Sequence, residues 1–424
     1  MIRKIIVLIF IISLLNEPIN GVAKGNEEKV IVSIEQIRKE ISNSSDVLIF
    51  SYKWSSLDYQ LEENEEALED LTTPNLILTE ELPVEYDYFK AFYPDYDSLT
   101  SEEQEEIDEL IETQIQINYS LNQLIGSSNI QAIAQRESII DQIEEQRKQL
   151  RTAIKSIKVE KNITNLQKEE ARESVKLLAT KRYVNLLSLK KYIEIAEQKL
   201  VKQQEELERL NSFLKLKLVT KEDATIQEEK VDQQELALKQ WRELYDLNLQ
   251  GLLIDLGYDS SNDYGLEEIP EFEIIEPEMP GEEEATKYVE NMYSLRVINE
   301  KIDRAKYQYD KETGNTRDQA YYNWKILKEE KNLLQKELKK KVYDKYQSFI
   351  EEYRAYQTQL KKVEKLQGER SYYKKQYDLG LISKYDLSNK ERELDLAKKE
   401  LEIKANNFYI YYQEEEALSK GILK

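Results

Sequence analysis

Residues 130–214 contain no glycine and no proline. Those are the two residues that most often end or kink a helix, so nothing in this stretch interrupts one. Within it Leu186, Leu189, Ile193, Ala196, Leu200, Leu207, Leu210 and Leu214 step by three, four or seven, the a/d spacing of a coiled-coil seam. The stretch predicts one helix of roughly 125 Å at 1.5 Å per residue. Composition points the same way: 34% of the 424 residues are charged, with only 11 glycines and 7 prolines, a usage that suits long helices better than compact globules. Hydrophobic residues at 40% fill narrow seams rather than thick cores. The expected fold class is all-α, an elongated set of coiled-coil hairpins.

The helical text turns back on itself twice. Leu379-Gly380-Leu381-Ile382-Ser383-Lys384-Tyr385-Asp386 has a counterpart in Leu216-Lys217-Leu218-Val219-Thr220-Lys221-Glu222-Asp223. Each reads as a helix C-terminus followed by an N-cap, with Gly380 where a left-handed residue sits and Ser383 or Thr220 as the cap. Asp386 and Asp223 fall at the third helical position, where a carboxylate completes a capping box. Beyond the first turn Ala224, Val231, Leu238, Tyr245 and Leu252 recur every seven residues. Beyond the second, Leu387, Leu394, Leu401 and Phe408 do the same. Ala397 and Ala405 are small enough to let helices approach closely. Two hairpins with matching tips are predicted.

The repeat reaches further back. Ser33 is placed to cap a helix opening at Ile34, and setting Asn43 against Asn291 also pairs Tyr59 with Tyr307. Between these landmarks the first half carries about 85 more residues than the second, placed between 61 and 147. That insert is acidic and tyrosine-bearing at first, and Asn75-Leu76-Ile77-Leu78 is strand-like with proline nearby. From Ser101 helical spacing resumes, and Gly126-Ser127-Ser128-Asn129 is expected to end that helix. A Pro/Glu-rich link at 257–284 joins the halves, expected to lie extended on a helix surface. The domain plan is then a signal peptide at 1–23, a first repeat at 24–256 with its insert at 61–147, the link, and a second repeat at 285–424.

The signal peptide is read from the basic Met1-Ile2-Arg3-Lys4, an apolar run over 5–15 and the small residues Gly21-Val22-Ala23. An uncleaved anchor is the competing reading, because Asn16-Glu17-Pro18 lengthens the region before the cleavage site. Either places the chain outside the cytoplasm, in the cell envelope, on the surface or secreted.

There is no cysteine and no histidine. Thiol nucleophiles, disulfides, imidazole bases and the usual zinc ligands are thereby excluded, and no local motif singles out a Ser, Lys, Tyr or carboxylate set. No enzyme, cofactor or metal site is expected. A formal charge of −22 argues against nucleic acid. The basic run at 336–341 reads as a solvated face answering nearby glutamates.

The run Tyr377-Asp378-Leu379-Gly380-Leu381-Ile382-Ser383-Lys384-Tyr385-Asp386-Leu387, followed by Leu394, Leu401 and Ala417-Leu418-Ser419-Lys420-Gly421, resembles the TolC-like outer-membrane efflux proteins. The stretch from Phe213 to Gly257 looks like a degenerate copy. The resemblance implies a homotrimer in which each protomer gives two hairpins to a hollow α-barrel. It also implies a periplasmic adaptor of the membrane-fusion type docked at the tips, and an export pump such as an ABC transporter behind it. Carried over by position, Leu379, Gly380, Leu381 and Ser383 match the family's Gly-Leu-Ser/Thr tip, and Leu218 and Thr220 match it in the first repeat. Lys217 stands where glycine is usual, so the first tip is expected to dock differently or weakly. Each family member also inserts barrel strands into both halves. Here the second half offers only 310–317, too short for two strands of about 10 residues each, and the first-half insert lacks alternation. An α-barrel without a membrane β-barrel is expected, with membrane contact indirect or through an uncleaved signal segment. The competing function is a coiled-coil cell-surface scaffold or tether.

Overall fold

The structure, a computed structural model, describes residues 30–258 and 264–423; the expected signal segment lies outside them. The elements are β1 (Val30–Val32), α1 (Ile34–Ile41), α2 (Ser45–Asp70), α3 (Tyr86–Lys90), a 3-10 turn (Tyr96–Ser98), α4 (Ser101–Lys215), α5 (Lys221–Leu256), β2 (Tyr264–Leu266), α6 (Glu282–Asn291), α7 (Tyr293–Lys311), α8 (Gly314–Asp378) and α9 (Lys384–Ser419). The all-α expectation holds: β1 and β2, three residues each and paired in parallel, are the only strands among the described residues. None of the described helices is long and apolar enough to cross a membrane. The described residues form two compact units, one from those within 30–51, 166–299 and 328–423, the other from Tyr52–Asn165 and Glu300–Leu327.

In the first unit the hairpins lie side by side in the order α5, α4, α9, α8, each helix antiparallel to its neighbour. Gln227 donates to the Gln203 carbonyl at 2.9 Å, and Tyr192 stacks on Trp241 at 4.9 Å, so α5 returns along α4. Asn406 donates to Ser188 at 3.3 Å and Lys399 pairs with Glu194 at 2.9 Å, joining α4 to α9. Gln359 donates to the Ala397 carbonyl at 2.8 Å and Phe349 meets Tyr411 edge-on at 5.2 Å, joining α9 to α8. Ala224, Val231, Leu238 and Leu252 are buried as their heptad spacing demands, as are Leu394, Ala397 and Phe408. Ala397 is 1% exposed, and its small side chain lets Gln359 reach the backbone beside it.

The start of each repeat is packed alike. Ser33 caps α1 by accepting from the Gln36 amide, and Ile37, Ile41 and Val47 are buried. Ala285, Val289 and Leu295 are buried at the matching places of α6 and α7. Tyr183 and Tyr346 sit in the respective cores. The Tyr183 hydroxyl lies 2.9 Å from the Val32 carbonyl and 2.6 Å from the Glu267 carbonyl, which fastens the small β-pair and the link to α4. Beyond β2 the described part of the link has no helix until Glu282, and Phe272 packs edge-on against Tyr409 of α9 at 5.0 Å.

The second unit departs from expectation in one respect. Gly126-Ser127-Ser128-Asn129 does not end a helix, because α4 runs through it to Lys215. Gly126 has ordinary helical geometry, and a glycine inside a helix costs only about 1 kcal/mol, which a long helix absorbs. Asn129 has another task. Its amide pairs with both backbone groups of Thr79, accepting at 3.0 Å and donating at 2.9 Å. Asn122 does the same with Leu82 at 2.7 and 2.8 Å, and Asn118 donates to the Pro83 carbonyl at 2.7 Å. Arg136 donates to the Pro74 carbonyl at 3.1 Å. Residues 71–85 thus form an extended strap running antiparallel along α4. The strand-like piece at 75–78 joins no strand, and the residues on either side of it, Pro74 and Thr79, bond to side chains of α4.

Candidate functional site: the two hairpin tips

Both tips close by the same backbone scheme. At the second, the Gly380 amide donates to the Tyr377 carbonyl and the Leu381 amide to the Gln376 carbonyl, both at 2.9 Å. At the first, the Lys217 amide donates to the Leu214 carbonyl and the Leu218 amide to the Phe213 carbonyl, again both at 2.9 Å. This is a Schellman closure, which requires a left-handed residue just past the helix. Gly380 supplies it at φ 72°. Lys217 supplies it at φ 54°, the only non-glycine with positive φ among the described residues. At the backbone the two tips therefore close alike, because the lysine takes the conformation usual for glycine.

The following helices start alike too. The Ser383 hydroxyl accepts from the Asp386 amide at 3.2 Å, while Asp386 accepts from the Ser383 amide at 3.1 Å and its hydroxyl at 2.6 Å. Thr220 and Asp223 repeat this at 3.2, 2.9 and 2.7 Å. These are reciprocal capping boxes. The hydroxyl bond, then the backbone bond, holds each aspartate below its ordinary pKa.

With its polar groups paired internally, each tip turns apolar side chains outward. Leu216 and Leu218 are 67% and 68% exposed, and Leu379 and Leu381 are 74% and 68% exposed. Four leucines at two turns are a surface that gains free energy when covered. The tips share one end of the helix row. Arg209, on the last turns of α4, lies over the Phe213 ring at 5.3 Å and the Tyr385 ring at 4.7 Å. Tyr385 also donates to Glu206 at 2.6 Å. In the sequence nothing singles out Arg209 except its i,i+4 spacing from Phe213. The structure thus brings together Lys217, Leu218, Thr220, Leu379, Gly380, Leu381 and Ser383, and adds Arg209 as the tie between the two turns.

A chain of this architecture belongs to a definite structural class, a protomer of two tandem helical hairpins in an internal repeat. No family model and no curated protein matches the sequence. Among solved structures, that of CusC, described in terms of transmembrane channel formation, is 10% identical, covers 95% of this chain and 96% of its own, and superposes with a TM-score of 0.50. VceC, an outer membrane protein of Vibrio cholerae, is 12% identical over 64% of this chain and 74% of its own, with a TM-score of 0.47. The CmeC outer membrane channel of Campylobacter jejuni is 13% identical over 65% and 68%, with a TM-score of 0.44. The near full-length likeness to CusC shows the fold, which is TolC-like, without membrane β-barrel strands among the described residues.

Proposed function

We propose that the chain is a protomer of a trimeric, extracytoplasmic, TolC-like conduit. It docks a membrane-fusion adaptor of an export system through its two hairpin tips, with a pump such as an ABC transporter beyond. The repeats at 24–256 and 285–424 each supply one hairpin. The observation that carries the reading is the pair of tips. A stalk or tether needs turns, but it has no use for two turns at one end with the same left-handed closure, the same capping box and the same outward leucines. The role is passive: the helices enclose a solvated passage and the tips recognise the adaptor. The similar solved structures are those of channels and an outer membrane protein, which agrees with a non-enzymatic role.

The test has two readings. Light scattering on the purified chain should give three times the 50.3 kDa protomer mass, and Leu381→Glu with Leu218→Glu should abolish capture of an adaptor from the same cell without loss of helix content. A two-stranded dimer that captures no adaptor would belong to the scaffold alternative.

A further inference from the structure

A third of this chain is charged, yet residues 113–135 contain no Asp, Glu, Lys or Arg over 23 consecutive positions. The next longest uncharged run, 5–16, has 12. All 23 lie on α4 in the second unit, where the strap covers one side of the helix and occupies the amides of Asn118, Asn122 and Asn129. On another face Leu110, Ile117, Leu121 and Leu124, spaced by seven, four and three, are 60%, 47%, 40% and 68% exposed. Such spacing puts them in one stripe, and an apolar stripe on a helix is ordinarily a packed face.

We infer that this face is a self-association surface, where α4 of one copy of the chain meets α4 of another. Charge selects the occupant. Each copy carries −22, and around a symmetry axis a surface meets its own equivalents, so charged stretches of helix would set like against like. The uncharged run is the longest part of the molecule free of that penalty. A partner of opposite charge would find no charged group here to recognise.

The polar residues favour protein over lipid. Gln114, Gln116, Gln123, Gln131 and Gln135 are exposed along the same run. Each amide both donates and accepts, so identical neighbours can satisfy one another. In hydrocarbon the same amides would lack partners at a cost of several kcal/mol each. The surface deepens the conduit reading and rests on it for the trimer, placing one contact between protomers on this stretch of α4, away from the tips.

The full-length chain tests this directly. In sedimentation equilibrium it self-associates, and Ile117→Glu/Leu121→Glu/Leu124→Glu weakens association at least tenfold with helical circular dichroism retained. Because the chain has no cysteine, single substitutions report contact should the triple variant misfold. Leu124→Cys should form disulfide-linked dimers under mild oxidation, and Tyr119→Cys, on the far side of the helix and 53% exposed, should not. Equal linking at both sites, or none at Leu124→Cys, overturns the inference; a trimer that survives the triple substitution does so too, while leaving the conduit reading in place. Flotation with phosphatidylcholine vesicles that depends on Leu124, by a chain that stays monomeric, would reassign the face to lipid and equally overturn it.

Discussion

The two tips share a hydrogen-bond plan and differ in the residue that executes it. Gly380 at φ 72° and Lys217 at φ 54° close the same Schellman turn, and the leucines on either side of each are exposed to a similar degree. A lysine in the left-handed region costs roughly 1–2 kcal/mol that a glycine does not. The first tip nevertheless keeps the geometry, because three features over-determine it: the preceding helix, the capping box at Thr220 and the antiparallel register of α5 on α4. What the repeat preserves is therefore backbone closure and apolar display. The charge at the crown of the turn is free to differ.

The comparison can be pressed by substitution, beginning where the effect is largest. Another left-handed residue, Gly421 at φ 89°, is hemmed in, since a Cβ there would lie 2.1 Å from the Asn291 carbonyl oxygen. Strain and clash add at that site, so Gly421→Ala should lower stability by about 3 kcal/mol in denaturant unfolding. Gly380 has open space around it, so only the backbone resists a side chain. Gly380→Val should cost about 2 kcal/mol locally, read as faster hydrogen exchange of the Leu381 amide.

Removing a cap should matter equally at both tips. Ser383→Ala and Thr220→Ala each lose about 1 kcal/mol of local stability, measured by exchange of the Asp386 and Asp223 amides. The same caps carry a pH signature. The folded pKa of each aspartate is depressed, so the stabilisation is complete above the ordinary aspartate pKa of about 3.9 and fades as pH falls through the folded value. Tip protection should decline on acidification below about pH 4, and Asp386→Asn should remove that dependence at the second tip alone. Smallest and opposite in sign, Lys217→Gly should slow exchange at the Leu218 amide, a gain of about 0.5–1 kcal/mol.

Much of this was legible in the sequence, for physical reasons that differ by element. Heptad spacing set the seams of α5 and α9, because only one face of a long helix can be buried, and Ala224, Val231, Leu238 and Leu394 are buried accordingly. Ser33, Thr220 and Ser383 could be read as caps because the interaction is local. The continuity of α4 through Gly126 was not legible. A Gly-Ser-Ser-Asn run is a loop by local preference, and it becomes helix here with the strap 71–85 packed along it, a contact some 50 residues away in sequence. The left-handed Lys217 was hidden for the same reason, since side-chain identity argued one way and the closed hairpin the other. Arg209 joins two tips that are distant in sequence, which no local pattern reports.

Adaptor capture by tip variants tests the central claim most directly. Immobilised adaptor from the same cell is challenged with the wild-type chain, Gly380→Val and Lys217→Gly, all with helix content verified. The account predicts that Gly380→Val sharply reduces capture and that Lys217→Gly retains or improves it. Capture unchanged by Gly380→Val, with the altered turn confirmed by exchange at Leu381, would contradict docking through the tips.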